Sequence, residues 1–195
     1  MQVKVKPQHY TPEEYLELEK KADYRSEYRD GRILPMAGGT TNHNRLTLDF
    51  CTFLNLALRQ QNAEIFSGDV RLWITDFRQY TYPDAMVVKG KPIYEGKGKT
   101  TIVNPAVIVE VLSSSTRNYD QGDKFDYYRS IPEFEEYILI DQYRFYIKQF
   151  VKNRAGKWVL TEYTGEDSVL VLESVEFQVE LRELYARVDF ELQEE

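Results

Sequence analysis

Three side chains in this sequence stand where packing alone would not put them, and together they suggest chemistry. Residues 106–112 (AVIVEVL) are the most apolar run in the chain, and Glu110 sits inside it. A continuous apolar run of this length reads as a strand covered on both faces. A carboxylate buried there must be paired, protonated or bound to a cation. A salt bridge to a helix lysine or arginine would meet that demand as well as a catalytic role would. Tyr82-Pro83-Asp84 precedes Ala-Met-Val-Val, so a second acid opens a second apolar strand. Alone, Asp84 reads first as the polar residue of a Pro-Asp turn.

Register links the two acids. If residues 84–88 and 106–110 pair antiparallel with Val88 facing Ala106, Asp84 faces Glu110 on the same side of the sheet. Their β-carbons are then roughly 4.5–5.5 Å apart. The long loop between the strands does not impose that register. Two carboxylates so close repel unless one is protonated or a cation lies between them. Hard oxygen donors on few side chains, with coordination positions left open, suit Mg²⁺, with Mn²⁺ as a substitute. Lys124 follows in the segment RNYDQGDKF, on the helix after the Glu110 strand. Taken alone it forms an exposed i, i+4 pair with Asp120, worth a few tenths of a kcal/mol.

The elements that must hold these groups are legible in outline. Residues 11–21 open with Thr11 as N-cap, Pro12 in the first turn and Glu14 completing a capping box. Asp30-Gly31 within 24–37 marks a hairpin turn between two short strands. Gly38-Gly39 breaks the chain, and Thr40, Thr41 or Asn42 can cap the next helix. Leu46, Phe50, Phe53, Leu54 and Ala57 recur at helical spacing to about Arg59. Strands are expected at 64–66, 70–75, 83–88 and 106–112, with a polar, Gly-rich loop at 89–105. A helix over 117–130 ends before Pro132. Strands at 136–140, 143–151, 158–163 and 169–172 read as an antiparallel run, and 181–187 as a last short helix. No repeat or linker interrupts this, so residues 1–195 read as one α+β domain around a mixed sheet.

Composition narrows the classes further. Of 195 residues, 42% are hydrophobic, which supplies a real core. A single cysteine, Cys51, excludes an intramolecular disulfide and a cysteine-based zinc site. Residues 1–10 (MQVKVKPQHY) lack the apolar stretch of a signal peptide, and no run is long enough to span a bilayer. A cytoplasmic protein without membrane contact is expected. The net charge of −7 argues against coating nucleic acid by bulk electrostatics. A bound metal and a local basic face can offset that charge beside a phosphate.

Pro83-Asp84, Glu110-Val111-Leu112-Ser113, and then Asp120, Lys124, Tyr128, Pro132, Tyr137 and Asp141 resemble the Uma2 family of restriction-endonuclease-like proteins (DUF820), placed in the PD-(D/E)xK nuclease superfamily. The likeness extends upstream through Glu27-Tyr28, Gly31, Gly38-Gly39 and His43, covering about residues 10–190. It implies a restriction-endonuclease-like core: a central mixed sheet flanked by helices, with a C-terminal antiparallel extension. It also implies a metal-dependent phosphodiester hydrolase acting on nucleic acid, DNA by analogy, with a homodimer as one assembly. Asp84 and Glu110, with the carbonyl of Val111, would hold one or two Mg²⁺. The superfamily's lysine stands two residues after the second acid, where this chain has Leu112, and Lys124 is the candidate replacement.

The resemblance makes Glu27 an added acid of the metal shell, although a salt bridge to Arg25 or Arg29 explains it as well. His43 could touch a phosphate or orient a water, or be an ordinary cap or core histidine. Residues 113–116 (SSST) read first as helix capping and second as a phosphate contact. Tyr80, Tyr82, Tyr127 and Tyr128 could stack on bases, but with 15 tyrosines present most must pack. Two other classes compete: an interaction module that keeps the fold without catalysis, and a glycosidase dyad flanking a sugar cleft. A lysine in the same pocket argues against the second.

Overall fold

The computed structural model describes residues 9–114 and 116–191. The signal-peptide reading of residues 1–10 rests almost wholly on residues outside this range, and Ser115 also lies outside it. The N-terminal signals act as their chemistry dictates. Helix α1 (Pro12–Glu19) starts from a complete Thr11–Glu14 capping box. Strands β1 (Ser26–Arg29) and β2 (Arg32–Pro35) form the expected hairpin. Its two turn residues, Asp30 and Gly31, have φ of 37° and 94°. Both are positive, as a tight hairpin turn that matches strand twist requires.

Helix α2 (Thr41–Leu58) begins where the Thr40 side chain accepts the His43 backbone N–H. It buries Leu46, Phe50, Leu54 and Leu58 on one stripe, with Phe53 and Ala57 packed at the margin. After it come β3 (Ala63–Ser67), β4 (Arg71–Ile74), β5 (Gln79–Thr81), β6 (Ala85–Lys89), β7 (Thr101–Ile102) and β8 (Val107–Leu112). The chain continues through α3 (Arg117–Gln121), α4 (Asp123–Tyr128), β9 (Glu136–Asp141), β10 (Tyr146–Lys152) and β11 (Trp158–Thr164). It closes with β12 (Val169–Leu172), β13 (Phe177–Glu180) and α5 (Leu181–Leu184).

Two main sheets result. One has the order β2-β1-β5-β4-β7; the other runs β11-β10-β9-β8-β6-β3, with β12-β13 a separate hairpin. The six-stranded sheet is mixed, because β8 and β9 are parallel while its other pairs are antiparallel. Of the antiparallel run expected at the C-terminal side, β9, β10 and β11 extend the central sheet itself, whereas the strand expected at 169–172 leaves it and pairs with β13. Strand alternation divides its two faces. Ala85, Val87, Val107, Val109 and Val111 face the core under α2. Met86, Val88, Ile108 and Leu112 face a second core with Phe125 and Tyr128 of α4. Among the described residues no helix is long and apolar enough to cross a membrane.

Three expectations need correction. The helix over 117–130 is broken at Gly122, whose φ of −114° and ψ of −103° are not helical. Added there, a β-carbon would stand 3.1 Å from the Asn118 carbonyl, so a side chain at this turn would press the backbone of α3. The 89–105 segment is not all loop: β7 pairs with β4, and Tyr94 bridges Ile102. Strands β5 and β13 went unread because three or four residues carry little periodicity.

Asp141 locks α3 to the end of β9. Its buried carboxylate accepts from Arg117 and Arg144 and from the Tyr143 N–H. Burial alone would raise its pKa; these donors overcome that and hold it below the usual aspartate value. Asp141→Asn should therefore cost on the order of 1.5–3 kcal/mol at neutral pH, by urea denaturation. The depressed folded pKa means this stabilisation is present above the unfolded value, about 3.9, and is lost as pH falls through the folded one. The gap between wild type and variant should shrink below about pH 4; an unchanged gap contradicts the assignment.

Candidate active site

The site is built where β6 begins and β8 ends. The observed partners Ala85 with Val109 and Val87 with Val107 carry the expected register, in which Asp84 stands opposite Glu110. Asp84 Oδ2 accepts the Val111 N–H at 2.7 Å. Asp84 Oδ1 lies 2.8 Å from His43 Nε2. The imidazole comes from the first turn of α2 and packs against Gly39, where an added β-carbon would stand 3.2 Å from the ring. Gly39, but not Gly38, thus leaves room for His43 beside Asp84.

Glu110 is 4% exposed. Its Oε1 takes both protein donors, Lys124 Nζ at 2.8 Å and the Tyr128 hydroxyl at 2.7 Å. Its Oε2 accepts nothing from the described residues, and Glu110 lines a cavity of about 590 Å³. Lys124 also lies 3.3 Å from Asp120 Oδ1, so it bridges the acids of β8 and α3 from α4. The same cavity is lined by Glu27, Arg29, His43, Asp84 and Asp120.

Electrostatics follow from this crowding. Burial raises the pKa of Glu110 most; Lys124 opposes the rise, and the charges of Asp84 and Asp120 add to it. Burial would depress Lys124, but Glu110, Asp120 and Glu27 outweigh it and hold the ammonium well above its usual pKa. Burial thus dominates at Glu110, whereas the carboxylates around it dominate at Lys124. His43 is likewise held above its usual value, since its bond to Asp84 and the charge there overcome its burial.

Among the described residues no three His, Cys, Asp or Glu side chains form a ready-made metal group. A cation here would draw on Asp84 and Glu110, with backbone oxygen and water completing its shell, as is common for Mg²⁺. The donor set fits: hard carboxylate oxygens from two adjacent strands, both residues lining the same cavity.

The structure brings Asp84, Glu110, Lys124, His43 and Glu27 to one cavity, but gives the last two specific partners. His43 contacts Asp84. Glu27 accepts from the Thr81 hydroxyl through Oε1 and from Arg29 through Oε2, so the Arg29 salt bridge is the one of its two readings that forms. Ser113 Oγ accepts the Thr116 N–H and bonds its hydroxyl at the entry to α3, but the Thr116 side chain makes no capping hydrogen bond to that helix. Tyr80 and Tyr128 are buried and unavailable to bases, while Tyr82 lines the cavity. Lys124 in contact with Glu110 counts against a glycosidase dyad. The Asp120–Lys124 pair expected at i, i+4 forms, but it is buried rather than exposed, and the Tyr128 bond to Glu110, four residues beyond Lys124, has no counterpart in the sequence reading.

These features belong to a nuclease-type fold, and comparison with known proteins agrees. The family model for Uma2, described as "Putative restriction endonuclease", matches residues 12–184. The chain belongs to this family. It is 40% identical over 158 residues to uncharacterized protein sll1609 of Synechocystis, covering 81% of this chain and 89% of that one. Synechocystis slr1290 is 32% identical over 180 residues, covering 92% and 93%. A crystal structure of a DUF820 protein from Anabaena variabilis, described as a putative nuclease, superposes with a TM-score of 0.74. At 18% identity, over 91% of this chain and 98% of that one, it establishes the shared fold.

The His43–Asp84 contact is open to direct test. By NMR, His43 should titrate above the ordinary histidine value of about 6.5 in the wild type. In Asp84→Asn its pKa should fall, because the charge that favours imidazolium is gone. An unmoved titration would show that Asp84 does not govern His43.

Proposed function

We propose that the chain is a metal-dependent endonuclease that hydrolyses phosphodiester bonds in DNA, with residues 1–195 as one nuclease domain acting in the cytoplasm. The observation that carries this reading is buried Glu110 at the cavity wall, opposite Asp84 and beside an ammonium that two acids already share. Family membership supports hydrolysis of nucleic acid, and the restriction-endonuclease description favours DNA.

Asp84, Glu110 and the Val111 carbonyl would hold Mg²⁺ or Mn²⁺. When bound, such an ion makes water acidic enough to attack near neutral pH and stabilises charge on a phosphate. The chain's own groups supply the rest. The Val111 N–H and His43 fix both oxygens of Asp84, so that carboxylate is oriented before any ligand arrives. The Tyr128 hydroxyl donates to Glu110 Oε1 and so orients that carboxylate as well. Lys124 presents a point charge at the cavity wall, suited to neutralising the charge that builds on a phosphate in the transition state. Asp120 shares Lys124 with Glu110, which keeps the ammonium between them.

Asp84→Asn and Glu110→Gln should each reduce cleavage of plasmid or oligonucleotide in Mg²⁺ by at least ~100-fold, the scale of losing one essential charge-stabilising group. Their circular dichroism should stay native. Mn²⁺ should raise the melting temperature of the wild type but not of Glu110→Gln. Lys124→Ala should slow cleavage while keeping most of that metal response. Full activity in either acid variant would overturn the site. Assays on single-stranded, double-stranded and structured DNA identify the substrate form, and a wild type that cleaves none favours the interaction-module alternative.

A further inference from the structure

Resting on the nuclease reading, we propose that Arg29 is the substrate-strand anchor of this cavity, binding a non-scissile phosphate beside the acids. The need for such a group follows from the charge of the cavity. Glu27, Asp84, Glu110 and Asp120 line it, against the cations Arg29 and Lys124. The Lys124 side chain is 8% exposed and committed to two carboxylates. The Arg29 side chain is 32% exposed and is the cation a polyanion meets first.

Arg29 is also built to stay in place. Its guanidinium carbon lies 3.8 Å from the centroid of the Tyr119 ring, so the plane rests on an aromatic face. That ring is fixed in turn, since the Tyr119 hydroxyl accepts from Gln79 Nε2 at 2.9 Å. Gln79 is the cross-strand partner of Arg29 between β1 and β5. Glu27 Oε2 accepts from Arg29 Nε and Nη2, and Thr81 holds the other oxygen of Glu27. Nη1 donates to no described residue. The result is a planar cation, stacked on one face and tied along one edge, with a donor group left over. Such a fork recognises phosphate oxygens with a geometry that a lysine does not reproduce. Glu27, two residues earlier on the same face of β1, is then a positioning residue for Arg29.

The test uses a fluorescein-labelled DNA oligonucleotide, its binding followed by anisotropy over a range of salt in the non-cleaving Glu110→Gln background. Adding Arg29→Gln should weaken binding about 10-fold, the effect of one charge-assisted hydrogen-bonding group. It should also lower the slope of log affinity against log salt by about one. Arg29→Lys should restore the slope but only part of the affinity. In otherwise wild-type protein, Arg29→Gln should raise KM by more than it lowers kcat. A merely structural arginine would lower the melting temperature and leave the salt slope alone. Unchanged affinity and slope in Arg29→Gln overturn the proposal; should that variant fold poorly, an Arg29→Lys protein with wild-type affinity overturns it equally. Wild-type protein that binds the oligonucleotide but never cleaves it overturns the nuclease reading while leaving Arg29 supported by its binding data. Wild-type protein that binds no oligonucleotide overturns both.

Discussion

A carboxylate at the centre of a sheet, facing a second carboxylate across one strand pair, is the constraint around which this molecule is arranged. Glu110 cannot be left alone there, because an unpaired buried charge costs far more than one side chain's packing returns. The fold answers with one ammonium and one phenol, both bonded to the same oxygen. That answer is incomplete by design of the charges: Lys124 is shared with Asp120, and Asp84 adds another negative group. The remaining imbalance faces the cavity, where a cation and a phosphate together would neutralise it.

The surrounding elements serve that arrangement. Helix α2 packs its apolar stripe on one face of the central sheet and delivers His43 from its first turn to Asp84. On the other face, α4 packs Phe125 and Tyr128 into the second core and so places Lys124 against Glu110. The β1–β2 hairpin contributes Glu27 and Arg29 as a third wall, with Thr81 of β5 donating to Glu27. Rigid secondary structure therefore carries nearly every charged group of the site, which preorganises it without a ligand.

How much of this the sequence shows depends on the range of each interaction. The Asp84–Glu110 pairing was legible because strand alternation and one assumed contact, Val88 with Ala106, determine every other partner between the two strands. The Asp30-Gly31 turn and the Thr11–Glu14 box were legible because their chemistry is local. The His43–Asp84 bond was not, since it depends on where α2 crosses the sheet, and no spacing encodes that crossing. Gly122 was read through because a lone glycine is tolerated within a helical pattern, although here it separates α3 from α4. Glu27 and Arg29 share a strand face by their spacing of two, yet their roles emerge only when Tyr119 and Thr81 arrive from distant segments.

The central claim, that Asp84 and Glu110 together grip a divalent cation, is tested most directly by anomalous diffraction from crystals soaked in Mn²⁺. The account predicts one strong manganese peak, or two adjacent ones, in contact with both carboxylates and with Lys124 still beside Glu110. A soaked crystal with no peak there, and the Lys124 ammonium filling the space between the two acids, would contradict it.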